Sequence, residues 1–140
     1  MKPWMQNSLA VIAGVVVGSG INMGLITVGH GVIPPPEGTD ISTYEGLQAA
    51  MPLFEPKHFV FPFLAHALGT LAGALVATKV AASHQMRFAL GIGALFMAGG
   101  ISNIFLLPGP AWFNAVDVLL AYLPFAWLAG WLTTRGTGGD

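Results

Sequence analysis

The chain alternates between long apolar stretches and short segments rich in proline, glycine and charge. The apolar stretches cover residues 8–33, 59–82, 88–107 and 112–134. A helix of about 20 apolar residues spans the hydrocarbon core of a bilayer. The pattern therefore predicts an all-α integral membrane protein, a single membrane domain (1–140) in which four transmembrane helices form an antiparallel bundle.

The connections between the predicted helices differ in length. Residues 34–57 form the one sizeable loop, which opens with three consecutive prolines. Within it, Ser42 and Glu45 have the S-x-x-E spacing of a capping box ahead of an apolar run, so we expect a short amphipathic helix on the surface. The connections at 83–87 and 108–110 are tight turns, which make neighbouring helices antiparallel.

Composition supports the bilayer as solvent. The 140 residues are 54% hydrophobic and only 8% charged, whereas a soluble domain carries about 25% charged residues. A net charge of −1 gives no electrostatic footprint for nucleic acid. The chain has no cysteine, which excludes disulfides, thiolate metal sites and cysteine nucleophiles.

Basic residues predict the orientation of the bundle, because they concentrate on the cytoplasmic side. Four of the five basic residues flank the termini and the second turn: Lys2, Lys79, Arg87 and Arg135. The long loop is acidic and contains only Lys57. We therefore expect both termini in the cytoplasm and the long loop outside. The first apolar stretch is longer than that of a signal peptide and no A-x-A-like site follows it, so we expect it to remain as a span.

Small residues four positions apart let membrane helices approach closely. Such residues recur on one face of the first three spans: Gly14, Gly18, Gly69, Gly73, Gly93 and Gly100. The second span has an unbroken row that extends from Ala65 to Ala81. We interpret these rows as packing surfaces within the bundle. Four helices cannot hide every small face, however, so we also expect a homo-oligomer.

Few polar residues lie within the spans, and the predicted topology places them all between the midplane and the outer surface. They are Asn22, His66, Asn103, Asn114 and Asp117, with Ser102 beside Asn103. Each shares a helix face with small residues, since residues three, four and seven apart lie on one face. We therefore expect these side chains to face other helices and to meet in one buried polar pocket.

Asp117 is the only acidic residue within a span. A carboxylate at the centre of a bilayer costs about 2.5–3.5 kcal/mol on insertion scales and persists only when it is paired, neutralised or hydrated. His66 is the expected partner, because the two residues lie at similar depth. Two interpretations remain open. The polar cluster fastens the helices together, or it forms a site for a ligand, an ion or a proton.

Two further features of the sequence each allow more than one interpretation. Pro124 lies in the middle of the fourth span, where proline removes a helical hydrogen bond, and it predicts either a static kink or a hinge. His30, His66 and Asp117 are residue types that can bind a metal, but no metal-ligand spacing supports such a site. We expect no metal, no cofactor and no catalytic residue.

Several short motifs resemble a known group of proteins. They include Asn22-Met23-Gly24, the run Phe54-Glu55-Pro56-Lys57-His58-Phe59 and the run Phe63-Leu64-Ala65-His66-Ala67-Leu68-Gly69-Thr70. Over nearly its whole length the chain resembles an uncharacterised family of small bacterial inner-membrane proteins with four spans. The resemblance implies a bacterial inner-membrane location and the same fold, and it implies no activity.

Three functions are compatible with the sequence. The first is binding or transport of a small polar solute, an ion or a proton, at a pocket formed by Asp117, His66, Asn103, Asn114 and Asn22. The second is a structural role, as an oligomer-forming or accessory subunit. The third, membrane enzyme, has only His66 and Asp117 as an acid–base pair and is the least favoured.

Overall fold

The apolar stretches fold into helices, because a backbone in lipid must satisfy its hydrogen bonds within its own segment. The computed structural model describes residues 1–136, and those residues contain no strand. Its helices are α1 (Pro3–Val32), α2 (Tyr44–Ala50), α3 (Val60–Val80), α4 (Gln85–Leu106), α5 (Ala111–Leu120) and α6 (Leu123–Gly136), with 3₁₀ turns at Met51–Leu53 and Pro56–Phe59.

Four helical segments are long and apolar enough to cross a membrane. They are Pro3–Val32, Pro56–Val80, Gln85–Leu106 and Ala111–Gly136, the last made of α5 and α6. The predicted all-helical membrane protein with four spans is confirmed at this level. We call the end of the bundle that carries residues 34–57 the loop end, and the opposite end the termini end.

α1 begins at Pro3, before the predicted apolar stretch. Polar residues of its first turns form hydrogen bonds with the end of α3 and with the turn that follows it. The side-chain amide of Gln6 donates to the carbonyl of Val80 at 2.9 Å. The Asn7 Oδ1 accepts from the N–H of Ala82 at 3.0 Å. The last carbonyls of a helix have no partner within the helix, so Gln6 helps to cap α3 at the termini end.

The fourth span is divided where a kinked helix was expected. Two residues, Ala121 and Tyr122, separate α5 from α6. Pro124 has no N–H to offer the carbonyl of Leu120. The next hydrogen bond runs from the N–H of Ala126 to the carbonyl of Tyr122 at 2.9 Å. The effect of the proline is therefore a two-residue break between two short helices.

The loop contains α2, whose N-cap lies one residue later than the sequence predicts. Thr43 precedes the helix, and its Oγ1 accepts from the N–H of Gly46 at 3.0 Å. Ser42 instead donates its hydroxyl to Asp40 Oδ1 at 2.6 Å. The expected capping box of Ser42 and Glu45 is wrong, because the hydroxyl of Ser42 is already bonded to the aspartate before it.

The middle of the bundle is α3, which packs against α1, α4 and α6. α1 and α3 approach most closely: a methyl group added at Gly14 would lie 2.7 Å from the carbonyl oxygen of Gly73, and one at Gly18 would lie 2.8 Å from that of Gly69. Only glycine permits this separation. These glycines form the predicted packing surface, and the contact between α1 and α4 is much smaller.

The remaining predicted packing glycines lie on α4 and face the fourth span. An added methyl at Gly93 would lie 2.5 Å from the Cβ of Ala126, and one at Gly100 would collide with the hydroxyl of Tyr122. Near the termini end, mostly small side chains form an apolar core: Ala74, Ala77, Ala89, Ile92, Ala126 and Ala129. Helices in lipid are held by such close packing rather than by a hydrophobic driving force.

Candidate functional site

A cavity of about 410 Å³ lies at the loop end, between α1, α3, α4 and α5. Its walls are mostly apolar, with Ile26, Phe61 and Phe113 among them. Loop residues such as Leu47 and Met51 also line it. A mostly apolar concave site with a few polar groups is the usual form of a small-molecule site.

Five polar side chains line the cavity: Asn22, His66, Asn103, Asn114 and Asp117. We call the part around His66 and Asp117 its polar end, because Asn103 and Asn114 lie nearer the loop, close to the ends of α4 and α5. The structure therefore brings all five predicted site residues to one cavity. They do not form the single buried cluster that the sequence predicts, because Asn103 is exposed and only His66 of the other four bonds to Asp117, and their function stays a prediction.

Asp117 is the centre of this polar end and is only 5% exposed. Its Oδ1 lies 2.8 Å from Nδ1 of His66, the pairing that depth along the helices predicts. Its Oδ2 accepts a hydrogen bond of 2.8 Å from the hydroxyl of Tyr122. The rings of His66 and Tyr122 stack, with centroids 5.6 Å apart. Both carboxyl oxygens are thus held by side chains from the protein.

The break before α6 makes the contact with Tyr122 possible. Residues five apart on a regular helix point about 140° away from each other, so Asp117 and Tyr122 do not meet on an unbroken helix. Ala121 still bonds to the carbonyl of Asp117 at 2.9 Å, and the chain departs from the helix only after it. Gly100 provides the space for the phenol, since any side chain there would meet its hydroxyl.

Tyr122 is the residue that sequence reasoning missed. It is 2% exposed and belongs to a small cluster with Ala67 and Ala121. The available signal is its position two residues before Pro124, where a helix must break and a side chain can turn back. In the sequence, Tyr122 resembles one more apolar residue of a continuous span, so its hydroxyl is not identified as a buried polar group.

The three asparagines line the cavity without bonding to Asp117. Asn114 donates to the carbonyl of Gly109 at 3.4 Å. Asn103 is more than a third exposed, although its helix face predicts burial. The reason is the small contact between α1 and α4, which leaves this face of α4 open beside Asn22.

Three further polar residues lie where the cavity approaches the loop: His30, Lys57 and His58. His58 fixes the loop, because its Nε2 lies 3.1 Å from the carbonyl of Pro34 and its Nδ1 accepts from the N–H of Glu55 at 2.8 Å. Among residues 1–136, no three histidine or acidic side chains are close enough to hold a metal ion together.

Comparison with protein-family models, with curated proteins and with solved structures found no match for this chain. The function must therefore be argued from the site itself, from its geometry and chemistry.

Proposed function

We propose that the chain is a membrane protein that binds a small solute in the loop-end cavity. The observation that supports this most is a buried carboxyl group, Asp117, at the polar end of a 410 Å³ cavity that loop residues also line. Ionisable residues within spans mark ligand or ion pathways by default. A carboxyl group that only fastened helices would have no need of an adjoining cavity.

The lining indicates the kind of solute. Apolar walls favour a compact apolar body, and the polar end favours a hydrogen-bonding or cationic group. Asp117 is the only acidic residue of the lining, and the basic residue Lys57 lies near the loop. A solute with its positive or neutral polar group towards Asp117 is therefore preferred over an anion.

Transport of the bound solute requires a movement of the bundle. Beyond the polar end, the apolar core around Ala74, Ala77 and Ile92 is closely packed. The break between α5 and α6 is the place where the fourth span can bend, because Pro124 removes the hydrogen bond that crosses it. We propose this break as the hinge, with binding at the loop end as the first step of transport.

Orientation and location belong to the same proposal. The positive-inside rule places Lys79, Arg87 and both termini in the cytoplasm, so that the cavity faces outwards. The resemblance noted above supports the bacterial inner membrane. Single cysteines at Ser42 and at Thr134 test the orientation, since the chain has none of its own. An impermeant maleimide added to intact cells should label the cysteine at 42 and spare the one at 134.

Three probes of one size test the binding proposal: benzamidine, benzamide and benzoate, which are cationic, neutral and anionic. Affinity should be in the millimolar range, about −4 kcal/mol, and should fall in that order. Thermal shift of the protein in nanodiscs measures it, since a ligand that binds only the folded state raises stability. If none of the three shifts the unfolding temperature, the proposal fails.

Asp117→Asn is the decisive variant, and Glu37→Gln is its matched control. Both changes turn a carboxyl group into an amide, but Glu37 is an exposed loop residue outside the cavity lining. We expect Asp117→Asn to lose the preference for benzamidine and Glu37→Gln to keep it. Equal binding of benzamidine by both variants would contradict the role given to Asp117.

One observation favours the structural alternative. Both oxygens of Asp117 are already bonded to His66 and Tyr122, which is what a fastening role requires. In addition, nothing lies within 4 Å of the positions where Gly20 and Gly24 would carry a methyl group, so this face of α1 is free to pack against a second copy. If Asp117→Asn unfolds the chain or dissociates an oligomer, the structural role is preferred.

A further inference from the structure

A second, smaller cavity of about 160 Å³ lies between α1, α3 and α4, on the side where Ser19 and Asn103 are exposed. It borders the loop-end cavity along four residues, Asn22, His66, Gly100 and Asn103, which line both spaces. It extends to Thr70, the middle residue of α3. Thr70 lies four residues beyond His66, about 6 Å further along the helix. The second cavity therefore reaches the middle of the span.

Hydroxyl groups distinguish this cavity from the rest of the bundle. Six serines and threonines of the spans donate to a carbonyl of their own helix: Ser8, Thr27, Thr78, Ser102, Thr133 and Thr134. Within residues 1–136, the buried hydroxyl of Thr70 and the exposed hydroxyl of Ser19 make no hydrogen bond, and both residues line the second cavity. Thr70 is 1% exposed, so its hydroxyl has no access to bulk solvent.

Other polar groups around the cavity also have no partner in the described part of the chain. The side-chain amides of Asn22, which is half-buried, and Asn103, which is exposed, make no hydrogen bond there, so that Thr70 is the fully buried group of the set. The Nδ1 of His66 is bonded to Asp117, which leaves Nε2 of the same ring free. Buried polar groups in native structures are almost always satisfied by protein or by ordered water. The cavity therefore calls for a hydrogen-bonding occupant.

We propose that the second cavity is a hydrated site that carries water past His66 to the middle of the membrane. Its volume corresponds to about five water molecules at roughly 30 Å³ each. Thr70 and Asn22 supply hydrogen-bonding groups from two different helices. No acidic residue, lysine or arginine lines it, so the occupant is neutral water rather than an ion. This site does not depend on solute binding at the loop end.

Two threonines of α3 provide a matched test. Thr70 and Thr78 are both 1% exposed, but Thr78 is hydrogen-bonded to the carbonyl of Leu75 and to Thr133. In water-edited solid-state NMR of the unmodified protein in lipid bilayers, magnetisation from water should reach Thr70 as fast as it reaches the exposed loop residue Ser42. Thr78 should lag behind both. Equal lag at Thr70 and Thr78 would overturn the proposal.

Single cysteines give an independent measurement, because the chain has none of its own. Silver ion reacts with the thiolate, which forms only where water solvates it. We expect Thr70→Cys to react about tenfold faster than Thr78→Cys, since one unit of thiol pKa changes the thiolate fraction about tenfold. Equal rates at the two positions would contradict a hydrated site.

Thr70→Val keeps the test valid if the cysteine variant does not fold. Valine has the shape of threonine without the hydroxyl. In a dry cavity this change removes an unsatisfied polar group and raises the melting temperature. In a hydrated cavity it removes a bonded hydroxyl, and the melting temperature stays the same or falls. A rise would therefore overturn the proposal, and the absence of a rise supports it.

Discussion

The two halves of the bundle differ in what lies against the row of small residues on α3. Along α3, the row of small residues from Ala65 to Ala81 is buried throughout. Towards the termini end, Gly73 and Ala77 pack directly on α1, and Ala77 also belongs to the apolar core. Towards the loop end, Gly69 still packs on Gly18 of α1, but Gly69 and Ala65 also border the second cavity. Small residues at every fourth position thus permit close packing. The side chains on the facing helices determine whether that packing leaves a cavity.

The facing residues explain the difference. Near the termini end, α3 and α6 present alanines to each other, and Ile92 of α4 fills the remaining space. Near the loop end, α3 carries His66, and the residues that face it from α1 and α5 include Asn22 and Asp117, so that polar groups line a cavity there. The termini half therefore contains the apolar core, and the loop half contains the cavities and the pair of His66 and Asp117.

The largest expected effect tests the packing of the termini half. Gly73→Ala places a methyl group 2.6 Å from the carbonyl oxygen of Gly14, and backbone atoms cannot move away as a side chain can. Overpacking of this kind typically costs 1–3 kcal/mol, and we expect about 3 kcal/mol in the free energy of unfolding, measured by SDS titration in mixed micelles. Gly24→Ala is the control, since nothing lies within 4 Å there. Equal free energies of unfolding for Gly73→Ala and Gly24→Ala would contradict the close packing at Gly73.

A smaller effect tests the polar end of the loop half. Tyr122→Phe removes only the hydroxyl that bonds to Asp117 Oδ2. We expect a loss of about 2 kcal/mol, because a hydrogen bond to a charged or buried carboxyl group contributes about 1.5–3 kcal/mol. Tyr44→Phe is the matched control: it removes a hydroxyl bond of 2.6 Å to the carbonyl of Leu106 at an exposed site, where about 0.5–1 kcal/mol is expected.

The order of these two tyrosine variants is the informative result. If Tyr44→Phe costs as much as Tyr122→Phe, burial adds nothing to the bond at Asp117, and that bond does not organise the loop half. Binding of benzamidine to Tyr122→Phe separates stability from recognition. If Tyr122→Phe is less stable but binds benzamidine with unchanged affinity, Tyr122 positions Asp117 and does not contact the solute.

The sequence predicts the regular part of this structure well. Hydropathy alone gives the four spans, and residue spacing identifies Gly14 and Gly73 as packing residues. The pairing of His66 with Asp117 follows from helix rise, since both lie at a similar depth below the loop end. Each of these inferences needs only the repeat of an ideal helix, and the chain follows that repeat over most of its length.

The features that the sequence does not predict arise where the helical repeat ends. Tyr122 reaches Asp117 only because α5 stops at Leu120. The opening beside Asn103 depends on the distance between α1 and α4, which no local pattern encodes. Gln6 extends α1 because its partner is a carbonyl of α3, 74 residues further along the chain. Such contacts depend on tertiary placement, so a reading of each helix alone cannot supply them.

The smallest expected effect concerns a carboxyl–hydroxyl pair in the loop. This pair is exposed to water, whereas the pair of Asp117 and Tyr122 is buried in the bundle. In the loop, Ser42 donates both its hydroxyl and its backbone N–H to Asp40 Oδ1, and these bonds hold the pKa of Asp40 below its ordinary value of 3.8. Ser42→Ala removes the hydroxyl and keeps the backbone bond. We expect the pKa of Asp40 to move up towards 3.8 without reaching it, as measured by NMR titration.

The pH dependence of this loop pair follows from the direction of the shift. A carboxyl group whose folded pKa is lowered contributes stability above its unfolded pKa, and that contribution is lost as pH falls through the folded pKa. Any pH-dependent difference between Ser42→Ala and the unmodified protein should therefore change only below about pH 4. Because Asp40 is exposed to water, the change in stability should be far smaller than for Tyr122→Phe. An unchanged pKa of Asp40 would show that the hydroxyl of Ser42 does not bond to it, and the comparison between the loop and the bundle would then rest on Tyr122 alone.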